Sequence, residues 1–209
     1  MNLNNYYWYF QSALTPRFCD EVIKYGNLLR EEVALTGKQE KKGKNLSNED
    51  IKDLKKKRDS NISWFSDEWV YKEVSPYVSM ANINAGWNFK WNWSETCQFT
   101  KYKLNQFYDW HCDSWEKPYG KEHDNPNYTG KVRKLSVTCS LSDPNNYSGG
   151  ELEFQFRNRD DPNTTVVCKE IMSRGSIVVF PSFVWHRVRP VTKGVRYSLV
   201  VWNLGYPFK

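Results

Sequence analysis

The sequence predicts a mainly β protein with helices gathered towards its N-terminus, an α+β chain whose later part forms a sandwich or jelly roll. Three observations carry that reading. Helical spacing of apolar residues is confined to the first 84 positions. From Ala85 onward, short runs rich in Val, Ile, Phe and Trp follow one another. Turn signals, "DPNNYSGG", "NRDDPN", "SRG" and "TKG", separate those runs.

In "LTPRFCDEVIKYGN", Thr15 is suited to the N-cap and Pro16 to the first helical position. Phe18, Val22 and Tyr25 recur at helical spacing, and Gly26 marks an expected end. "SNEDIKDLKKKR" predicts a short charged helix with Ser47 as cap and Glu49 and Asp50 in its first turn. "SDEWVYKEVSPYVSMANIN" predicts another, capped by Ser66, with Trp69, Val70, Val74, Tyr77 and Val78 on its apolar face. Pro76 is expected to kink or divide it. "WNFKWNW" alternates aromatic and polar residues as a half-buried strand does. "RKLSVTCSLSD", "GELEFQF", "TVVCKEIM", "GSIVVF", "VWHRVRPV" and "VRYSLVVWNL" supply the further strands. No repeat or long linker divides the chain. A single domain over 1–209 is expected: helical support over 1–84, with a charged insertion at 37–58, and the β core over 85–209.

At 39% hydrophobic and 26% charged residues, the 209-residue chain has the composition of a globular protein. It has no apolar run long enough for a membrane helix, and "MNLNNYYWYF" lacks the pattern of a signal peptide, so no membrane partner is expected. Five scattered cysteines without a CxxC pair argue against a disulfide framework or a cysteine zinc site and point to the cytoplasm. The net charge of +6 is concentrated between Gly37 and Arg58, where nine basic residues meet four acidic ones. A solvated insertion accounts for that cluster, so no nucleic-acid partner is expected.

The chemistry is concentrated in "NQFYDWHCDSW", Asn105 to Trp115. In a strand, residues i and i+2 share a face, so His111 and Asp113 project together. His186, in "FPSFVWHRVRP", completes a set of two histidines and one carboxylate, which suits non-haem Fe(II) with open coordination positions. Arg196 follows His186 by ten residues and shares a strand face with Ser198. Its planar fork suits a carboxylate bound through two hydrogen bonds. His123 reads as an exposed loop residue.

From about Trp87 to Trp202 the sequence resembles the Fe(II)/2-oxoglutarate-dependent dioxygenases of the prolyl 4-hydroxylase-like, PKHD type. Tyr102, Tyr108, His111 and Asp113 fit the pattern Y-x-x-G-x-x-Y-x-x-H-x-D. "SGGEL", "GSIVVFPSFVWHRVRPVTKGVRYS" and Trp202 continue it in order, and "RDSNISWF" is a weaker echo. Asn105 stands where the pattern has Gly, and Asn is among the residues that tolerate a left-handed turn.

The resemblance implies a double-stranded β-helix, a jelly roll of cupin-like type. It implies Fe(II) held by His111, Asp113 and His186, with 2-oxoglutarate bound by Arg196, Tyr102 and Ser198. It further implies consumption of O2, conversion of 2-oxoglutarate to succinate and CO2, and hydroxylation of a C–H bond, with ascorbate as reductant. Related halogenases lack the carboxylate, so Asp113 favours hydroxylation. Tyr108, Arg133 and Trp202 match positions that surround proline in prolyl 4-hydroxylases, which makes a proline-containing peptide or protein the expected substrate. A free amino acid or small molecule is the alternative, and a metal-binding jelly roll without enzymatic activity is a further one. In the nucleic-acid demethylase branch a second Arg lies where this chain has Trp202. The segment "SWEKPYGKEHDNPNYTGK" is expected to form a mobile lid. A bacterial or phage origin is compatible with the Asn- and Lys-rich composition.

Overall fold

The computed structural model describes residues 3, 5–34, 47–114, 117–121, 125–156 and 164–208. In chain order they form β1 (Trp8–Phe10), α1 (Pro16–Leu28), β2 (Glu32–Val33), α2 (Asn48–Lys57), β3 (Arg58–Asp59), β4 (Asn61–Phe65) and α3 (Glu68–Asn84). Then come β5 (Trp93–Ser94), β6 (Cys97–Tyr102), β7 (Phe107–His111), β8 (Val132–Ser140), β9 (Tyr147–Gly149) and β10 (Leu152–Gln155). β11 (Thr165–Val167), β12 (Ile177–Pro181), β13 (Trp185–Val188), β14 (Val191–Gly194) and β15 (Arg196–Gly205) complete the order.

The strands pair antiparallel in two principal sheets. The major sheet runs β1-β12-β8-β15-β6-β4-β2, with β5 added beside β15, and the minor sheet runs β11-β10-β13-β7-β3. A third, two-stranded sheet joins β9 to β14. Between the principal sheets, Tyr102, Val178 and Phe180 from the major one pack with Leu152, Phe154 and Val188 from the minor one. On its other side the major sheet buries Phe99, Leu135, Val137, Cys139 and Leu199 against Phe18 and Val22 of α1 and Val70, Val74 and Val78 of α3. This is the jelly-roll arrangement expected from the sequence, with the helices stacked on one face.

Local chemistry explains the helix boundaries. Thr15 Oγ1 accepts from Phe18 N–H at 3.1 Å and Pro16 occupies the first turn of α1. Gly26 does not end that helix; a Cβ there would lie 2.5 Å from the Phe99 ring, so the glycine permits close approach of α1 to β6. Ser47 and Asp50 form a reciprocal capping box on α2. In α3 the cap position is Asp67, one residue beyond the expected Ser66, and it makes no side-chain cap bond. Pro76 lies inside α3 without dividing it. Pro76 and Lys72, whose carbonyl loses its donor, are both exposed, so the interruption falls on the solvent side while the buried valines hold the helix in place.

Two strand expectations are corrected. In "WNFKWNW" only Trp93 belongs to a ladder, although Trp87 and Phe89 are buried and Asn88 and Lys90 exposed. Asn88 has φ 53°, and the Asn82 side chain bonds both the N–H and C=O of Phe89 at 2.9 Å. A side chain thus serves backbone groups that a neighbouring strand would otherwise take. "TVVCKEIM" forms a strand only to Val167, then a 3₁₀ turn at Lys169–Ile171. Conversely, β1, β2, β3, β4 and β6 form in segments that carry no strand expectation, and β9 and β14 run through the expected turns "DPNNYSGG" and "TKG". Residues 37–46 of the charged insertion lie outside the described residues, as does His123. No helix among the described residues is long and apolar enough to cross a membrane.

Candidate metal centre

His111 ends β7 and His186 lies in β13, and the two are directly opposite in the minor sheet. Asp113 lies just beyond β7, in a bend rather than in the strand. Its position is fixed by the carbonyl of Ser182, which accepts from Asp113 N–H at 2.8 Å and Ser114 N–H at 2.9 Å. One ligand atom from each of His111, Asp113 and His186 lies within 4.8 Å of the others. Asp113 Oδ1 is 3.8 Å from His111 Nε2, and Oδ2 is 3.7 Å from His186 Nε2. Such separations suit donors arranged about a shared cation.

Nδ1 of His111 lies 2.7 Å from the carbonyl of Asp109, and Nδ1 of His186 lies 3.0 Å from that of Val184. Each carbonyl calls for the proton on Nδ1, which leaves the Nε2 lone pair facing the centre. Burial holds the His111 pKa well below its usual value, reinforced by the neighbouring His186, so the ring is neutral. For Asp113 burial works to raise the pKa, but His186, His111, Arg133 and the Ser136 hydrogen bond outweigh it and hold the carboxyl below its ordinary value. Two imidazoles that present Nε2 and one carboxylate are the donor set that fits a divalent iron.

Two buried serines support this set. Ser136 Oγ donates to Asp113 Oδ2 at 2.6 Å and lies 2.9 Å from Ser182 Oγ, from which it accepts. Both serines are fully buried.

Beyond the triad, β6, β8 and β15 carry polar side chains on the inner face of the major sheet. Arg196 and Tyr102 are directly paired across β15 and β6. Arg196 Nη1 donates to Ser198 Oγ at 3.3 Å, and Arg196 Cζ is 5.5 Å from the Tyr102 ring centroid. Arg196 is buried, and no described carboxylate forms an ion pair with it. Gly150, at φ 68°, leaves room for this arginine: a Cβ there would sit 2.8 Å from Arg196 Cδ. Thr100, Thr138 and Ser140 add buried hydroxyls to the same sheet. The turn residue Asn105 adopts φ 64°, the left-handed conformation its place in the motif demands.

Tyr108 stacks on His111 with ring centroids 3.5 Å apart. Arg133 Cζ lies 3.9 Å from the Trp202 ring centroid, while Arg133 Nε and Nη2 both donate to Glu95 at 2.7 Å. Tyr119 Oη donates to the same carboxylate at 2.9 Å, which ties the segment after Asp113 to this cluster. Trp202 Nε1 is buried without a hydrogen-bond partner among the described residues. A groove of about 580 Å³ between Trp87–Asn92 and Tyr206–Phe208 shares none of these triad or arginine residues. Sequence reasoning missed Ser136, Ser182, Glu95 and Tyr119; none carries a local motif that separates it from an ordinary serine, acid or tyrosine.

The fold and this constellation define the class. Residues 97–203, half of the chain, match the 2OG-Fe(II) oxygenase superfamily, and the protein belongs to it. It is similar to a PKHD-type hydroxylase of Synechococcus sp. strain CC9605, with 39% identity over 89 residues, 42% of this chain and 37% of that protein. The PKHD-type hydroxylase YbiX of Escherichia coli O157:H7 is 33% identical over 104 residues, 50% of this chain and 40% of the relative. The matches thus span two fifths or less of these relatives. In fold, the chain is similar to the viral collagen prolyl hydroxylase of Paramecium bursaria Chlorella virus-1, at a TM-score of 0.62 and 19% identity over 97% of each chain.

Proposed function

We propose that the protein is an Fe(II)- and 2-oxoglutarate-dependent hydroxylase that acts on peptidyl proline. The observation that supports it most is the convergence of His111, Asp113 and His186 within 4.8 Å on the sheet facing the buried Arg196. In this reading the three side chains hold Fe(II), and Arg196, with Tyr102 and Ser198, binds the distal carboxylate of 2-oxoglutarate through charge-assisted hydrogen bonds. When bound, iron would activate O2, the oxidant, with 2-oxoglutarate giving two electrons and accepting one oxygen atom as it becomes succinate and CO2, and the C–H bond taking the other oxygen as an alcohol.

The chain supplies orientation and a dry site. The backbone carbonyls of Asp109 and Val184 hold the imidazoles in one tautomer, while Ser136 holds the carboxylate. Tyr108 and Trp202 offer aromatic walls suited to a pyrrolidine ring, and the unpartnered Trp202 indole N–H offers a donor to a substrate carbonyl. Arg133 serves here by fixing the Trp202 indole from a position itself held by Glu95. Ascorbate is the proposed reductant. The five free cysteines favour a reducing cytoplasm as the site of action.

Mass spectrometry of a proline-containing peptide pool incubated with enzyme, Fe(II), ascorbate and 2-oxoglutarate tests this reading. One oxygen gained on proline, absent with His111→Ala, is the expected result. Succinate formation with no peptide oxidised would transfer the reading to a small-molecule substrate.

A further inference from the structure

Arg58 carries a buried charge that the proposed chemistry does not use. It opens β3 at the edge of the minor sheet, directly opposite Tyr108, and only 5% of its surface is exposed. Its guanidinium carbon lies 4.4 Å from the Tyr108 ring centroid, and that ring in turn stacks on His111. Arg58 is therefore one aromatic ring away from a proposed iron ligand. Nε donates to Ser60 Oγ at 2.9 Å, but the buried Nη2 has no hydrogen-bond partner among the described residues.

Buried arginines are normally answered by a carboxylate, because an unpaired charge away from water is costly. The part-buried Arg133 has Glu95, and the part-buried Arg187 has Glu153. Arg196, buried like Arg58 and without a described carboxylate, is given the distal carboxylate of 2-oxoglutarate in the proposed function. No described acid lies within ion-pair distance of Arg58. Nor does the proposed cofactor set supply one. The charges of Fe(II), Asp113, Arg196 and the 2-oxoglutarate dianion cancel among themselves, which leaves Arg58 as the surplus cation beside the site.

We propose that Arg58 binds a carboxylate of the substrate through Nη2, so that the protein selects a target residue that carries or adjoins an acidic group. The inference rests on the hydroxylase reading and deepens it by naming the charge of the substrate. Two sources share this chemistry: an Asp or Glu side chain flanking the target proline, and the free carboxylate of a C-terminal proline. Tyr108 is placed to act with Arg58, since the ring that receives the guanidinium on one face is stacked on His111 on the other.

The test uses the full chain with Mn(II) in place of iron and saturating 2-oxoglutarate, so that Arg196 is occupied and binding is read without turnover. Equilibrium dialysis followed by mass spectrometry compares three matched pools of proline peptides: amidated peptides with Asp or Glu beside proline, the same peptides with Asn or Gln, and peptides ending in proline with a free carboxylate. The wild type should retain one of the two acidic pools at least about tenfold over the neutral pool. Which acidic pool is held identifies the source. Arg58→Gln should abolish the difference and Arg58→Lys restore part of it, with melting curves confirming that both variants fold. Equal retention of acidic and neutral pools, retention of none, or a preference that survives in Arg58→Gln would overturn the proposal. Conversion of 2-oxoglutarate to succinate by the iron-loaded wild type, measured alone, reports separately on the hydroxylase reading.

Discussion

Along β8, Leu135, Val137 and Cys139 join the core that contains α1 and α3, while Ser136, Thr138 and Ser140 occupy the alternate positions towards the second sheet. All six are 7% exposed or less. β15 repeats the division, with Leu199 and Val201 in the helix-side core and Arg196 and Ser198 on the other face. β6 does so too: Phe99 packs towards the helices, and Gln98 bonds Thr100 at 2.8 Å on the opposite face. Equal burial therefore has two meanings in one sheet. One face removes apolar surface from water and stabilises the fold. The other buries hydroxyls, an amide and a guanidinium, which contribute little to stability and favour a polar occupant.

Substitutions on the two faces should separate these roles. The largest effect is expected from His186→Ala, which should remove stoichiometric metal binding as read by metal analysis of the dialysed protein while the apo melting curve stays near that of the wild type. Leu199→Ala should do the reverse. It should lower stability by about 2–5 kcal/mol in denaturant titration, as large-to-small core changes do, with the metal affinity of the folded protein retained. Ser136→Ala sharpens the contrast because Ser136 shares a strand with Val137. Losing its bond to Asp113 should weaken metal binding by roughly 10–100-fold in competition titrations. Thr15→Ala, remote from the centre, should cost about 1 kcal/mol through loss of the α1 cap, with no change in metal affinity.

The sequence made one layer of this arrangement readable and concealed the next. His111, Asp113, His186 and Arg196 stand out because rare residue types recur at spacings that strand geometry and the family pattern both constrain. Even there the local argument was incomplete, since Asp113 lies past the end of β7 and owes its position to Ser182. Ser136, Ser182 and Glu95 were hidden for a different reason. Their partners are 23, 46 and 38 residues away along the chain, and no local spacing announces such contacts. The same limit explains the irregular run from Trp87 to Asn92, where alternating burial imitates a strand but Asn82 supplies the hydrogen bonds. Thr15 and Ser47 were legible because a cap and its acceptor lie within one turn. Gly26 was not, because the ring it admits comes from Phe99.

The central claim is that the polar interior binds iron and 2-oxoglutarate together, and succinate formation tests it most directly. Purified protein should convert 2-oxoglutarate to succinate only with Fe(II) present, and Arg196→Gln should raise the KM for 2-oxoglutarate by at least about tenfold through loss of the charge-assisted pair. Metal-loaded, folded wild type that forms no succinate, or an Arg196→Gln variant with an unchanged KM, would contradict the account.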